Sequence, residues 1–294
     1  LMIIGGYSND AAFLRAYGQR PHADLHSQTA AFMTGLSLED FNKLPNKKQL
    51  RNEIGKPSGF GYFYSGSLST VGKPLGWEKE KIWEMTELFR EGYAEAEQWR
   101  LETIAEAKQK GYVELPDHLR RYCFESTPMW AQLMQQKFDK LGVGEFGKQC
   151  IRRIQNRAGN KVVNSRVQGL CATYVKRKLY RAMFKDIPRL GLNARVMFPC
   201  HDEVVCSVHR DDLFKFKEYI YNLMIESEDI FSNVMIDSSM ALGRNYLAFN
   251  AEKNPKGLVE LMEMDKLLPC IPENRWGQRA TDDETGLILD YLFS

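Results

Sequence analysis

Apolar and polar positions along the chain fall into stretches of helical and of strand-like period. Residues 1–5 are a short apolar run ending in Gly5-Gly6, which predicts a strand entering a turn. Over 9–17, Asn9 or Asp10 is placed to cap a helix carrying Ala11, Phe13 and Leu14, and a turn at 18–21 leads to a second helix over 24–34. Between 78 and 109, Ile82, Met85, Leu88, Phe89, Ala96, Trp99, Ile104 and Ala107 recur at helical spacing, so one long amphipathic helix is predicted, kinked near Gly92. Shorter helices are predicted over 128–140 and 147–156, and a long one over 164–184, basic on one side. Two strands over 194–200 and 204–208 flank a tight turn at His201-Asp202-Glu203. A helix over 211–227 and a strand over 234–240 follow. The stretch IGKPSGFGYFYSGS carries four glycines and a proline and is a poor helix by propensity alone. Residues 251–294 carry no clear signature, and no repeat or low-complexity tract is present.

With 294 residues, 44% of them hydrophobic, the chain can bury the core of one large domain or two ordinary ones. Its 40 basic and 38 acidic side chains exclude an acidic tail protein or a globally supercharged nucleic-acid coat. They leave room for nucleic-acid binding through a local basic face, for which Lys47, Lys48, Arg51, Lys176, Arg177 and Arg181 are candidates. No run approaches the ~18 apolar residues of a membrane span, and the start lacks the basic segment of a signal peptide. Six cysteines without a C-x-x-C pair fit a reducing compartment, so a cytoplasmic location is expected.

Candidate chemistry concentrates in RVMFPCHDEVVCSV, where two carboxylates sit at the tip of the predicted hairpin. A solvated polar turn is the plainer account of them. The functional account is that rigid strands fix Asp202 to hold a divalent cation, since hard cations take carboxylate oxygens. Zinc at Cys200, His201, Cys206 and His209 is disfavoured, because a hairpin spreads those side chains over opposite faces. His22 and His26 form an i,i+4 pair without a third ligand.

His-Asp-Glu between two strands, followed by a helix, resembles the third motif of the family A DNA polymerases. The likeness continues in order through the chain. Asn164-Ser165-Arg166-Val167-Gln168-Gly169 is similar to the family's Asn-x-x-x-Gln-Gly. Lys56-x-x-x-Phe60-Gly61-x-x-Tyr64 resembles the helix of the family's fingers, Asp24-Leu25-His26-Ser27 its Asp-Ile-His-Thr, and Gly6-Tyr7-Ser8 its Asp-Tyr-Ser. The spacer EAKQKGYVELPDHLRRY is similar as well, and the resemblance spans about 1–250.

The resemblance implies an α/β fold: a right-hand polymerase palm, an antiparallel sheet with helices, with inserted helical fingers and no thumb. Its parts would be palm at 1–20, fingers and connecting helices at 21–158, palm again at 159–250, and a tail of unknown role at 251–294. It implies addition of deoxynucleotides to a primer 3′ end, with two Mg2+ ions. Asp202 and Glu203 would be the catalytic carboxylates, with Asp202 as metal ligand. His26, Arg51, Lys56, Phe60 and Tyr64 would meet the nucleotide. Asn164, Gln168, His201, Lys176 and Arg177 would meet DNA. Primer–template DNA and deoxynucleoside triphosphates are the implied partners, together with another chain or segment supplying thumb and exonuclease-like parts.

The departures bear on catalysis. Gly6 stands where the family has a metal-binding Asp, with Asp10 four residues on as the alternative ligand. Asn52 stands where an Arg is expected, and Pro57 falls inside the expected helix, which would then begin near Gly55. A catalytically impaired DNA-binding subunit is therefore the alternative. A single-subunit RNA polymerase relative is a further one, disfavoured by Glu203 and the Asn-Gln segment.

Overall fold

In the computed structural model, which describes residues 1–115, 118–226, 232–261, 268–275 and 277–294, the apolar run at the start is a helix, α1 (Met2–Ser8), and not a strand. So short a run fits either period, and packing decides. Ile4 and Gly5 are buried, Tyr7 stacks on Trp99 with ring centroids 5.4 Å apart, and a Cβ added at Gly5 would lie 2.6 Å from that of Phe13. Phe13 belongs to α2 (Ala11–Tyr17), which Asp10 caps, and α3 (Leu25–Thr34) is capped by Asp24. Three short helices follow: α4 (Leu38–Lys43), α5 (Lys47–Leu50) and, after a π-helical turn over Arg51–Gly55, α6 (Lys56–Ser65); α7 (Ser69–Gly72) comes next.

The predicted helix over 78–109 is two helices, α8 (Lys79–Gly92) and α9 (Ala94–Lys110). The break is at Tyr93, whose ring packs against Phe13, Phe63 and Phe89 with centroids 5.0, 5.9 and 4.8 Å away. A small ribbon, β1 (Tyr112–Glu114) with β2 (Arg120–Tyr122), pairs antiparallel with Val113 opposite Arg121. The predicted helix over 128–140 is found as α10 (Pro128–Lys140). The next two predicted helices are one, α11 (Gly144–Arg181). Ala158, Gly159, Val162 and Val163 are buried where a gap was expected, and Gly159 lets Ile104 approach to 3.3 Å of a would-be Cβ.

After a π-helical turn over Ala182–Asp186 come α12 (Ile187–Leu190), then β3 (Ala194–Cys200) and β4 (Glu203–Val208), which pair as the predicted hairpin. The following helix is α13 (Leu213–Ile225); the predicted end at Ser227 lies outside the described residues. No strand forms over 234–240. There the backbone bonds singly: Met235 N–H donates to the Tyr17 carbonyl at 2.8 Å, and the Ile236 carbonyl accepts from Arg20 Nε at 2.7 Å. A two-residue pair, β5 (Ala241–Leu242) with β6 (Val259–Glu260), and α14 (Asp282–Phe293) complete the chain.

The chain divides into two compact units. The first comprises Leu1–Leu179, Pro199–Val204 and Ser227–Ile236. Its main core gathers Ile4, Phe13, Tyr62, Phe63, Phe89, Trp99, Val163 and Val167 from α1, α2, α6, α8, α9 and α11. Within it the buried Glu97 carboxylate accepts from Arg100 at 2.7 and 2.9 Å, a paired charge as burial requires. The second unit comprises Tyr180–Phe198, Val205–Glu226 and Asp237–Ser294. The stretch without sequence signature falls in it, and among the described residues it supplies a core cluster of Val259, Leu261, Leu268, Ile271, Ile288 and Leu292. Its helix α14 starts on a reciprocal cap between Thr281 and Glu284, and Arg275 holds Glu284 at 2.6 Å.

Candidate nucleotide and nucleic-acid site

The residues predicted for nucleotide and metal contact all lie in the first unit, the hairpin tip included. The centre is α6. Lys56, Phe60 and Tyr64 recur every fourth residue and share one face, while Ser58, Gly59, Tyr62 and Phe63 are buried on the other. This burial, together with the cap at Gly66 (φ +71°), makes a helix of a glycine-rich sequence. Pro57 lies in the first turn of α6, directly after the π-helical turn in which the Lys56 N–H donates to the Arg51 carbonyl. The π-helical turn before it brings Gly55 against α3: a Cβ there would lie 2.1 Å from the His26 carbonyl oxygen, so only glycine fits.

That close approach puts His26 beside the face that carries Lys56, Phe60 and Tyr64. Its ring centroid is 5.6 Å from that of Phe60, and Phe60 in turn stacks on Tyr64 at 6.1 Å. Burial, then the Arg51 charge, pushes the His26 imidazole down to about 4, so it is neutral at pH 7. Its Nδ1 is buried with no hydrogen-bond partner among the described residues. Burial raises the Tyr64 phenol, and a hydrogen bond with Gln168 of α11 opposes part of that rise. His26, Lys56, Phe60, Tyr64 and Gln168 thus form one continuous polar and aromatic surface. His22 is not part of it: its Nε2 lies 2.6 Å from the Met235 carbonyl oxygen and its ring packs edge-on to Tyr17.

The depressed histidine has a consequence for stability. The folded state resists protonating His26 while the unfolded chain takes up a proton near 6.5, so the unfolded state binds more protons between about 4 and 6.5. This contribution is complete above pH 6.5 and is lost as pH falls through that window. Chemical denaturation from pH 7 to pH 4 should give a falling stability, and His26→Gln should flatten the fall. An equal fall in the variant would refute the assignment.

Arg51 is engaged elsewhere. Its Nε donates to both Asp24 oxygens at 3.0 and 2.7 Å. Burial works to raise the Asp24 carboxyl, but the bonds from Arg51 and Ser27 outweigh it and hold it below its usual range. The guanidinium therefore braces the start of α3 under His26 and is half-buried.

At the hairpin, His201 adopts a left-handed backbone (φ +54°), and His201, Asp202 and Glu203 are all exposed. The Asp202 charge is felt at Cys171, one turn beyond Gln168 on α11. Asn164 and Gln168 are exposed on one face of α11. At 100° per residue, Lys176 is turned about 80° from Gln168 and Arg177 about 180°, so those two do not extend the same face.

Asp10 is committed. It is 1% exposed, and its carboxylate accepts from the backbone N–H of Ala12 (3.0 Å), Phe13 (3.4 Å) and Ala96 (3.3 Å). Gly6 offers only its carbonyl, which accepts from Asn233 Nδ2 at 2.9 Å. No group of three potential metal donors occurs among the described residues. Mg2+ is commonly held by one or two carboxylates together with substrate phosphates rather than by an all-protein cage, and Asp202 with Glu203 suits that arrangement for one ion. For a second ion, position 6 has no carboxylate and that of Asp10 is already used.

The model of DNA polymerase family A matches residues 1–248. The chain belongs to that family. It is 25% identical over 248 residues to the thermostable DNA polymerase I of Thermus filiformis, covering 84% of this chain and 26% of that protein. It is 26% identical over 224 residues to DNA polymerase I of Pseudomonas aeruginosa, covering 76% of this chain and 21% of that one. The chain thus spans about a quarter of the length of these relatives. Among solved structures, the POL domain of Pol1 from M. smegmatis, in complex with DNA primer-template and dNTP, matches with a TM-score of 0.61 at 19% identity. That match covers 80% of this chain and 36% of the other, and it establishes the fold. The family architecture accounts for a mostly helical chain with small antiparallel sheets: an α/β polymerase palm with helical fingers. No helix among the described residues is long and apolar enough to cross a membrane.

Proposed function

We propose that this chain is the palm-and-fingers part of a template-directed DNA polymerase that adds deoxynucleotides to a primer 3′ end. Residues 1–20 and 159–250 would be palm and 21–158 fingers, and another chain or segment would contribute thumb and exonuclease-like parts. Primer–template DNA and deoxynucleoside triphosphates would be its partners, in the cytoplasm. The observation that carries this reading is the meeting of α6 with His26 and Gln168 on one surface.

On that surface each residue has a definable task. Lys56, in the first turn of α6, offers a positive charge to a triphosphate. Neutral His26 can hydrogen-bond a phosphate oxygen through a ring N–H without adding charge. Phe60 presents an exposed ring on which a base can stack, and Tyr64 supports that ring from behind. Gln168, tied to Tyr64, and Asn164 offer amide groups to base edges in the minor groove. Asp202, with Glu203, would hold a magnesium ion arriving with the nucleotide; when bound, that ion neutralises phosphate charge.

The test is primer extension by the full-length protein. Lys56→Ala should weaken apparent nucleotide affinity about tenfold or more, the worth of one charge-assisted bond to phosphate. Exposed Lys79→Ala should have no such effect. Equal affinities in the two variants would overturn the reading. Gly6 and the committed Asp10 favour one second reading: a chain that binds primer–template and nucleotide but extends poorly. Nucleotide binding without extension would distinguish it.

A further inference from the structure

Helix α11 carries ten basic side chains and a single acidic one, Glu145, although the whole chain is nearly balanced. Three of them, Arg153, Arg157 and Lys161, recur every fourth residue and are exposed. At 100° per residue they lie within about 40° of the direction of Asn164 and Gln168, on the side opposite the buried Ala158, Gly159, Val162 and Val163. They form a ladder with rungs about 6 Å apart that runs directly into the nucleotide surface.

A solvated helix face ordinarily mixes signs at i,i+4 and gains a few tenths of a kcal/mol per pair. Here every i,i+4 neighbour within the ladder is another cation, which is unfavourable by a similar amount. No ion pair to Arg153, Arg157 or Lys161 occurs among the described residues, while Lys148, one turn earlier, is paired with Glu145 at 2.5 Å. Phe146 lies on the same line, two turns before Arg153, with 62% of its surface exposed. Its ring meets Phe138 of α10 edge-on at 6.5 Å, which fixes its orientation. A positive track with an exposed aromatic ring is the arrangement that grips a single strand, since phosphates follow the charges and unpaired bases stack on the ring.

We infer that the outer face of α11, from Phe146 through Arg153, Arg157 and Lys161, is a binding track for single-stranded DNA, and that its occupant is the unpaired template ahead of the primer end. The track is about 33 Å long from Phe146 to Gln168 at 1.5 Å per residue. Its continuity with Asn164 and Gln168 supplies the direction: the strand leaves the nucleotide surface along α11. The identity of the strand as template rests on the polymerase reading; the binding itself does not.

The experiment measures fluorescence anisotropy of a labelled, roughly 20-nucleotide single strand and of a blunt duplex of equal length, with the full chain. The variant is Arg153→Ala/Arg157→Ala/Lys161→Ala, with Phe146→Ala separately. The triple variant should bind the single strand at least about tenfold more weakly. Its slope of log affinity against log salt should shrink by about 2, from ~0.7 per lost phosphate contact. Its affinity for the blunt duplex, its thermal melt and its extension of a template with one unpaired base should stay within about twofold. Phe146→Ala should weaken single-strand binding while leaving the salt slope alone, a loss worth ~1–3 kcal/mol by analogy with other stacked bases. An unchanged single-strand affinity, or an equal loss on the blunt duplex, overturns the track. Loss of single-strand binding in a protein that extends no primer would keep the track and refute the polymerase reading; extension with no loss would do the reverse.

Discussion

Asp202→Asn is expected to lower primer extension by the full-length protein at least about a hundredfold, the scale seen when one preorganised electrostatic contact to a reacting group is lost. The substitution keeps the shape of the side chain and removes only its charge. It should do so without harm to the fold, because Asp202 is exposed in the turn between β3 and β4 and carries no core contact. The hairpin pins it: His201 takes the left-handed backbone that turns the chain, so the carboxylate cannot drift far along either strand. Phosphoryl transfer depends almost wholly on positioning and on neutralising charge, which makes a fixed carboxylate near the nucleotide hard to replace. Thermal melts of the two proteins should coincide while extension differs. Extension near the wild-type rate in the variant would remove Asp202 from the catalytic assignment.

The hairpin was legible because its signal is local. Short apolar runs rich in β-branched and aromatic residues on both sides of His201-Asp202-Glu203 favour a hairpin, and β3 runs over 194–200 as expected. Helix α10 was legible for the same reason, with Thr127 as cap and Pro128 in its first turn. Elsewhere the outcome depends on partners that periodicity does not name. The run at 1–5 reads equally as strand or helix, and the contact of Gly5 with Phe13 decides for helix. Tyr93 fits a helical pattern but ends α8 because three aromatic rings claim it. Gly159 looks like a gap between helices and is instead the point where α9 and α11 approach. Two helices had an unused local signal: α14 in Thr281-x-x-Glu284 ahead of an apolar run, and α4 in Ser37-x-x-Asp40.

The site divides along the same line. Lys56, Phe60 and Tyr64 share a face by spacing alone, so the sequence suffices for them. That Gln168 meets Tyr64, or that Arg51 is spent on Asp24, depends on contacts between residues far apart in the chain. The ladder of Arg153, Arg157 and Lys161 was present as a four-residue spacing. It gained meaning once α11 proved continuous through Asn164 and Gln168.

Asp10→Ala should destabilise the protein by about 3 kcal/mol, for a structural reason. Its carboxylate serves two helices at once, capping α2 through Ala12 and Phe13 and accepting from Ala96 at the start of α9. Loss of an N-cap costs ~1 kcal/mol, and stranding the buried N–H groups of Phe13 and Ala96 adds ~1–3 kcal/mol. Asp10→Asn should cost less, about 1 kcal/mol, because the amide oxygen still caps α2 while its NH2 turns a donor toward the Ala96 N–H. Burial, opposed by the three backbone bonds, raises the Asp10 carboxyl above its usual 3.8, so the folded state holds its proton more tightly than the unfolded one. Its contribution is therefore full below 3.8 and declines as pH climbs through the raised value, a dependence absent in Asp10→Asn. Urea unfolding of the three proteins gives these differences directly. Extension assays then separate the cap from a metal ligand. A cap predicts that Asp10→Asn, once folded, extends primers within about twofold of wild type, while a ligand standing in for the side chain Gly6 lacks predicts a loss of about a hundredfold. A stable Asn variant without extension would make Asp10 the second carboxylate of the site and would shift the alignment of the first turn by four residues.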